Sequence, residues 1–171
     1  MDAEIREDFS AFVASRSHAL FRTAMALTGH RQQAEDLLQT ALAKSVRHWG
    51  RIRQGQPEAY VRTAMYRQYM TWWRRGRGRE SPTGHLPEIA TADLTAGVDL
   101  SLALAAALRR LAPRHRAVLV LRYLEDLPNE EIAEILGCAP STVRSQTSRA
   151  LSRLRHLCHE LDIPAAQETS R

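Results

Sequence analysis

The stretch LPNEEIAEILGCAPSTVRSQTSRALSRLR, Leu127 to Arg155, narrows the possible folds more than any other part of the chain. Apolar residues recur at helical spacing on either side of Gly137, and glycine suits a tight turn that needs positive φ. A helix-turn-helix requires three things: a small residue where its helices cross, a turn residue tolerant of positive φ, and a branched apolar residue that locks the second helix. Ala133, Gly137 and Val143 stand at those places, with Ile132, Leu136 and Cys138 as apolar support. Ser141 is expected to cap the second helix, its side-chain oxygen accepting a hydrogen bond from an exposed backbone N–H.

The second helix divides into two faces. Val143, Thr147, Ala150, Leu151 and Leu154 form an apolar side, and Arg144, Ser145, Ser148, Arg149 and Ser152 the opposite one. From Ser141 to Arg155 every charged residue is an arginine. A recognition helix presents such residues to base edges, where a bidentate arginine–guanine pair gives about 1–3 kcal/mol of discrimination. The alternative is a surface helix that its charges merely solvate, which the three-point spacing disfavours.

The rest of the chain repeats helical periodicity and shows no strand-like alternation, so the expected fold class is all-α. Helices are expected at residues 2–28, at Arg31 to Trp49, at Pro57 to about Arg75, at Leu100 to Leu111 and at Pro113 to about Leu124. The third reads PEAYVRTAMYRQYMTWWRR, with Val61, Met65, Tyr69 and Trp72 available as a core stripe. Its remaining aromatics and arginines suit a platform for single-stranded nucleic acid, where bases stack on rings and guanidinium groups meet phosphates. They equally suit the sealing of a small core, and both readings stand. Gly76 to about Asp99 is rich in Gly, Pro, Ser and Thr without a period, as a linker would be. The expected organisation is a helical domain at 1–78, a flexible linker at 79–100, a helix-turn-helix domain at 101–163 and a tail at 164–171.

A formal net charge of +5 suits a polyanionic partner. Two cysteines, Cys138 and Cys158, are too few for a disulfide framework, and His156, Cys158 and His159 match no zinc spacing, so no metal or cofactor is expected. No apolar run spans a bilayer and the acidic N-terminus does not read as a signal peptide, so the expected location is cytoplasmic, with no membrane partner. His115 with Glu125 and Asp126 is the best catalytic grouping on offer, and it converges at no recognisable spacing. A dimeric regulator that binds palindromic duplex is the rival to be weighed, and the aromatic-rich third helix counts against it.

Leu127 to Arg155, preceded by ALRRLAPRHRAVLVLRYLEDL, resembles the C-terminal domain of the extracytoplasmic-function sigma factors, the smallest of the sigma-70 type. AEDLLQTALAKSVRHW resembles that family's core-polymerase-binding segment, and PEAYVRTAMYRQYMTWWRR its promoter-melting helix, most closely in a short two-domain branch common in actinobacteria. The four matches follow the family's order and cover nearly the whole chain. The resemblance implies a sigma factor that binds core RNA polymerase, recognises −35 and −10 promoter elements and promotes strand opening, without being an enzyme.

The resemblance also implies roles for particular residues. Asp36, Leu37, Gln39 and Thr40 would bind the clamp helices of the largest polymerase subunit, and apolar residues from Leu108 to Leu121 would receive the flap tip of the second-largest. The loop Arg51 to Gln56 would hold a base flipped from the −10 element. Arg62, Tyr66, Arg67 and Met70 would face that element, with Arg74 and Arg75 on phosphates. Arg144, Ser145, Ser148 and Arg149 would read the −35 element, with Thr142 touching phosphate. An anti-sigma factor is a further possible partner. Arg67 stands where the family commonly carries Asn, and Gln146 where the wider family often carries Arg. The paired Trp72 and Trp73 lie out of register with the strand-wedging pair of primary sigma factors, whose place Tyr60 and Val61 occupy.

Overall fold

The computed structural model describes residues 3–76 and 95–161, and among these residues there is no strand. Helices α1 (Ala3–Thr28), α2 (Arg31–Val46), α3 (Trp49–Ile52) and α4 (Pro57–Arg74) make the first half. Helices α5 (Thr95–Arg110), α6 (Pro113–Leu119), α7 (Asn129–Leu136) and α8 (Pro140–Glu160) make the second, with a π-helical turn, Val120–Leu124, continuing α6. The all-α expectation therefore agrees with the structure. Most of the expected linker, residues 79–94, and the whole expected tail lie outside the described residues. At the other end of that linker α5 begins at Thr95, five residues ahead of the expected Leu100.

Local chemistry explains the boundaries. Gly29 adopts φ 71° and its amide closes on the Met25 carbonyl at 2.8 Å, which ends α1. The expected second helix stops three residues early, at Val46, and Trp49 belongs to the separate turn α3. That break lets Trp49 fold back on α1, where it is fully buried beside Phe9 and Phe12, and its indole Nε1 donates to Asp8 Oδ2 at 2.7 Å. Pro57 and Pro140 occupy the first turns of α4 and α8, where a missing N–H costs nothing. Ser141 does not cap α8. The capping position is Ala139, and Pro140 already opens the helix, so Ser141 lies inside the first turn.

Within the first half α1 packs on α2 and α2 on α4; within the second, α6 and α7 pack on α8. The two halves also dock. α1 touches α5, α6 and the π turn, and α4 touches α6 and α7. Leu20, Leu27, Leu37, Val61 and Met65 thereby join Ala117, Val118, Leu121, Ile132, Val143 and Leu157 in one continuous apolar core. Burying each such Leu, Val or Met side chain contributes about 1.5–3 kcal/mol.

Candidate nucleic-acid interface

The helix-turn-helix forms as its spacing predicts. Gly137 has φ 66°, ψ 43° in the left-handed region, and the Cys138 amide returns to the Ala133 carbonyl at 3.0 Å. Ala133 and Val143 are buried where the helices meet, and Ile132 is fully buried beneath them. Along α8, Val143, Ala150 and Leu157 face inward, and Leu151 and Leu154 pack against the core edge. Arg144, Ser145, Ser148, Arg149 and Ser152 are all exposed on the other side, and Thr142 is half-buried at the helix start. Ser145 Oγ donates to the Thr142 carbonyl at 3.0 Å, which ties it to the first turn. Arg122, Asn129 and Arg155 border the same face, with Tyr123 standing 61% exposed beside it. Sequence reasoning missed Arg122 and Tyr123, because the π turn that projects them leaves no local signature.

Helix α4 divides its expected contacts between opposite environments. Val61, Met65 and Tyr69 are buried as the core stripe required, and Trp72 and Trp73 pack at its margin. Arg67, Arg74 and Arg75 are exposed, and Met70 is half-buried. On the outer face Lys44 of α2, Tyr60, Thr63, Ala64 and Arg67 line an open pocket that brings one ring and two cations together. Tyr66 does not face outward. It is 0% exposed, because the second half of the chain covers that side of α4. Burial, and then the nearby Glu125 carboxylate, pushes its phenol well above the ordinary value of 10.0, so the ring is neutral. Arg62 is likewise covered, its side chain only 17% exposed against Glu125. For Tyr66 and Tyr69 the sealing role is the one realised here; Tyr60 alone among the helix's tyrosines is exposed.

On α2, Asp36 and Gln39 are exposed and Thr40 is half-buried. Leu37 is 0% exposed within the core, so its side chain holds α2 in place and is not available as a contact. The apolar residues expected to receive another protein between Leu108 and Leu121 are covered in this packed arrangement. Leu111, Val118, Leu119, Val120 and Leu121 are all buried, several of them beneath the docked first half. Of the expected loop Arg51 to Gln56, the first two residues belong to α3, and Arg51, Gln54, Gly55 and Gln56 are exposed. Among the described residues no three His, Cys, Asp or Glu side chains are grouped to hold a metal ion. No described helix is long and apolar enough to cross a membrane.

A buried guanidinium connects the halves. Arg116, 3% exposed, donates to the carbonyls of Leu108 at 2.7 Å, Arg109 at 2.6 Å and Leu111 at 3.2 Å at the end of α5, and to Leu27 of α1 at 2.7 Å. These carbonyls lie in or just after the last turns of α5 and α1, where backbone acceptors run short of intrahelical partners and attract cations. Burial lowers the pKa of Arg116 from its ordinary value, yet a guanidinium keeps its proton in proteins. His30, next to this site, is held below 6.5 by burial and then by Arg109 and Arg116.

The structure thus presents two packed helical halves, one carrying a helix-turn-helix whose outer helix is lined by arginine and serine. Comparison with known proteins defines the class. Residues 12–79 match the family model for sigma-70 region 2, and residues 101–154 that for sigma-70 region 4. The RNA polymerase sigma-E factor of Streptomyces coelicolor is 38% identical over 167 residues, covering 96% of this chain and 94% of that protein. The sigma factor SigL of Mycobacterium tuberculosis is 32% identical over 151 residues, covering 84% and 85%. Among solved structures, the sigma factor RpoE in complex with the anti-sigma factor NepR, from Bartonella quintana, aligns with TM-score 0.65 and 26% identity over 90% of this chain and 98% of that one. The chain belongs to the extracytoplasmic-function sigma factors of the sigma-70 family, the RNA polymerase subunits that recognise promoters to initiate transcription.

Proposed function

We propose that the chain joins core RNA polymerase through the exposed polar face of α2, reads a −35 element with α8, captures a −10 element on α4 and promotes strand opening. The observation that carries this reading is the separation of faces on α8: Arg144, Ser145, Ser148 and Arg149 outward, Val143 and Ala150 inward. Inserted in a major groove, the outer residues reach base edges and Thr142 reaches phosphate. Asp36, Gln39 and Thr40 form the polymerase contact on α2, with Leu37 acting from beneath as a positioning residue.

For the −10 element, Arg67, Arg74 and Arg75 are the accessible cations of α4, and Met70 lies beside them. Tyr60 and Lys44 add a stacking ring and a further charge around the outer pocket. Arg62 and Tyr66 join this surface only once the second half moves aside. Melting costs about 1.4 kcal/mol per stacked step, and capture of unstacked bases on rings and cations offsets it. Separation of the halves also exposes the apolar residues of α6 to a flap-tip partner. An anti-sigma factor is a further expected partner, since the Bartonella relative was solved with one.

The test is a fluorescence competition for core polymerase together with selection from a duplex library. Asp36→Arg should weaken core binding at least tenfold, about 1.4 kcal/mol. Arg149→Ala should relax base preference at one position of the selected −35 site while core affinity is kept. If neither substitution moves either readout, the assignment fails.

A further inference from the structure

Glu125 lies at the end of the π turn, in the second half of the chain, yet its carboxylate is spent entirely on the first. Its Oε2 stands 2.7 Å from Arg62 Nε, with side chains 17% and 11% exposed, and its Oε1 accepts from the Thr23 hydroxyl of α1. The Nε contact lies off the N–H direction, so it is an ion pair rather than an aligned hydrogen bond. Asp126, with φ 51°, reverses the chain immediately after Glu125. The carboxylate faces α1 and α4, while Tyr123 and Leu124 are exposed.

Around this contact the docked surfaces are complementary. Tyr66 is buried one helical turn beyond Arg62 with its hydroxyl unpartnered among the described residues. Arg116 donates across to Leu27, and the side chain of Arg109 lies so close over Gly29 that a Cβ there would meet it at 2.4 Å. Arg62 thus has a carboxylate where a nucleic-acid anion would otherwise sit, and the ring beside it is covered.

We infer that Glu125 is an intramolecular latch. It occupies Arg62 as a stand-in for the DNA, holds the two halves closed in the free protein, and leaves α4 only partly able to bind single-stranded DNA until the halves separate. The inference rests on the proposed role of α4 in −10 binding and adds its regulation. Exchange of the carboxylate for DNA on Arg62 couples opening to promoter engagement, because each excludes the other at one guanidinium.

The neighbouring carboxylate supplies the control. Glu58, on α4 itself, lies 3.5 Å from Arg62 Nη2 but does not join the halves. Full-length wild type, Glu125→Gln, Glu125→Arg and Glu58→Gln are compared in two measurements. One is small-angle X-ray scattering; the other is anisotropy of a labelled, mixed-sequence single-stranded DNA without polymerase. Docked wild type should have a radius of gyration of about 16 Å. Both Glu125 variants should expand, the arginine more, and Glu125→Gln should bind the DNA at least about fivefold more tightly, the low end of coupling between two sites. Circular dichroism confirms that each variant keeps its helices.

Three results would overturn the latch. Equal affinity and equal size in wild type and Glu125→Gln is one. Expansion without gain in DNA binding is another. The third is an equal gain in Glu58→Gln at unchanged size, which would make the effect local charge rather than closure. Run-off transcription with core polymerase is read separately. If no form supports it while compaction still depends on Glu125, the promoter reading and the gate fall together, and only the docking stands.

Discussion

Replacing Arg116 with methionine keeps an unbranched apolar stem and removes the guanidinium that donates both to the end of α5 and to the end of α1. Four carbonyls lose it: Leu27, Leu108, Arg109 and Leu111. Leu108 retains the Leu111 amide at 3.1 Å, so three carbonyls are left to water or to nothing. A buried group deprived of its partner costs about 1–3 kcal/mol. Against this, the variant no longer has to desolvate a guanidinium, a cost of several kcal/mol that the present bonds offset. The balance is a loss of about 3 kcal/mol, most of it from leaving the α5 carbonyls unpaired, since only the Leu27 bond crosses between the halves. For a chain of this length each kcal/mol moves Tm by roughly 2–4 °C, so Arg116→Met should melt about 6–12 °C lower. Arg116→Lys keeps the charge but offers one point donor in place of a planar fork, and should recover about 1 kcal/mol. Calorimetry or chemical denaturation measures both. Arg116→Met within about 0.5 kcal/mol of wild type, the range of an ordinary surface change, would refute the idea that this guanidinium holds the helix ends.

Gly137→Ala should cost about 1 kcal/mol by thermal denaturation: nothing lies within 4 Å of the new methyl, so the penalty is the left-handed backbone alone. Trp49→Phe keeps an aromatic ring against Phe9 and Phe12 but removes the indole donor to Asp8, and should lose about 1.5 kcal/mol in urea unfolding. His30 favours its neutral form when folded, so the unfolded chain takes up the proton first as pH falls below 6.5. The stability linked to His30 is therefore lost as pH drops through that window, and His30→Asn should flatten that part of a Tm–pH curve.

The parts of the chain that sequence makes legible are those whose geometry is local. The turn at Gly137, the alternation of faces on α8 and the proline starts of α4 and α8 follow from periodicity and backbone preference within a few residues. Ser141 failed as a cap because Pro140 had already begun the helix, a competition between two adjacent signals. The early end of α2 is set by Trp49 folding back onto Phe9 and Phe12, contacts some forty residues away in sequence. Arg62 and Tyr66 share their residue types with the exposed Arg67 and Tyr60, and only the packing of one half on the other decides that they are covered; Leu37 is covered by the packing of α2 into the core. In the sequence Glu125 is only one of two carboxylates, with Asp126, grouped with His115. What gives it meaning is its place at the end of the π turn, packed against Arg62 and Thr23, and a π turn has no sequence signature comparable to glycine in a tight turn.

Run-off transcription with purified core polymerase on a promoter-fragment library, with wild type beside Asp36→Ala and Arg149→Ala, decides whether the chain works as a promoter-reading polymerase subunit. Wild type should give transcripts from a discrete set of promoters, Asp36→Ala few, and Arg149→Ala a changed −35 preference. Wild type that starts no transcripts with core polymerase, yet binds duplex DNA by itself as a dimer, would contradict this role.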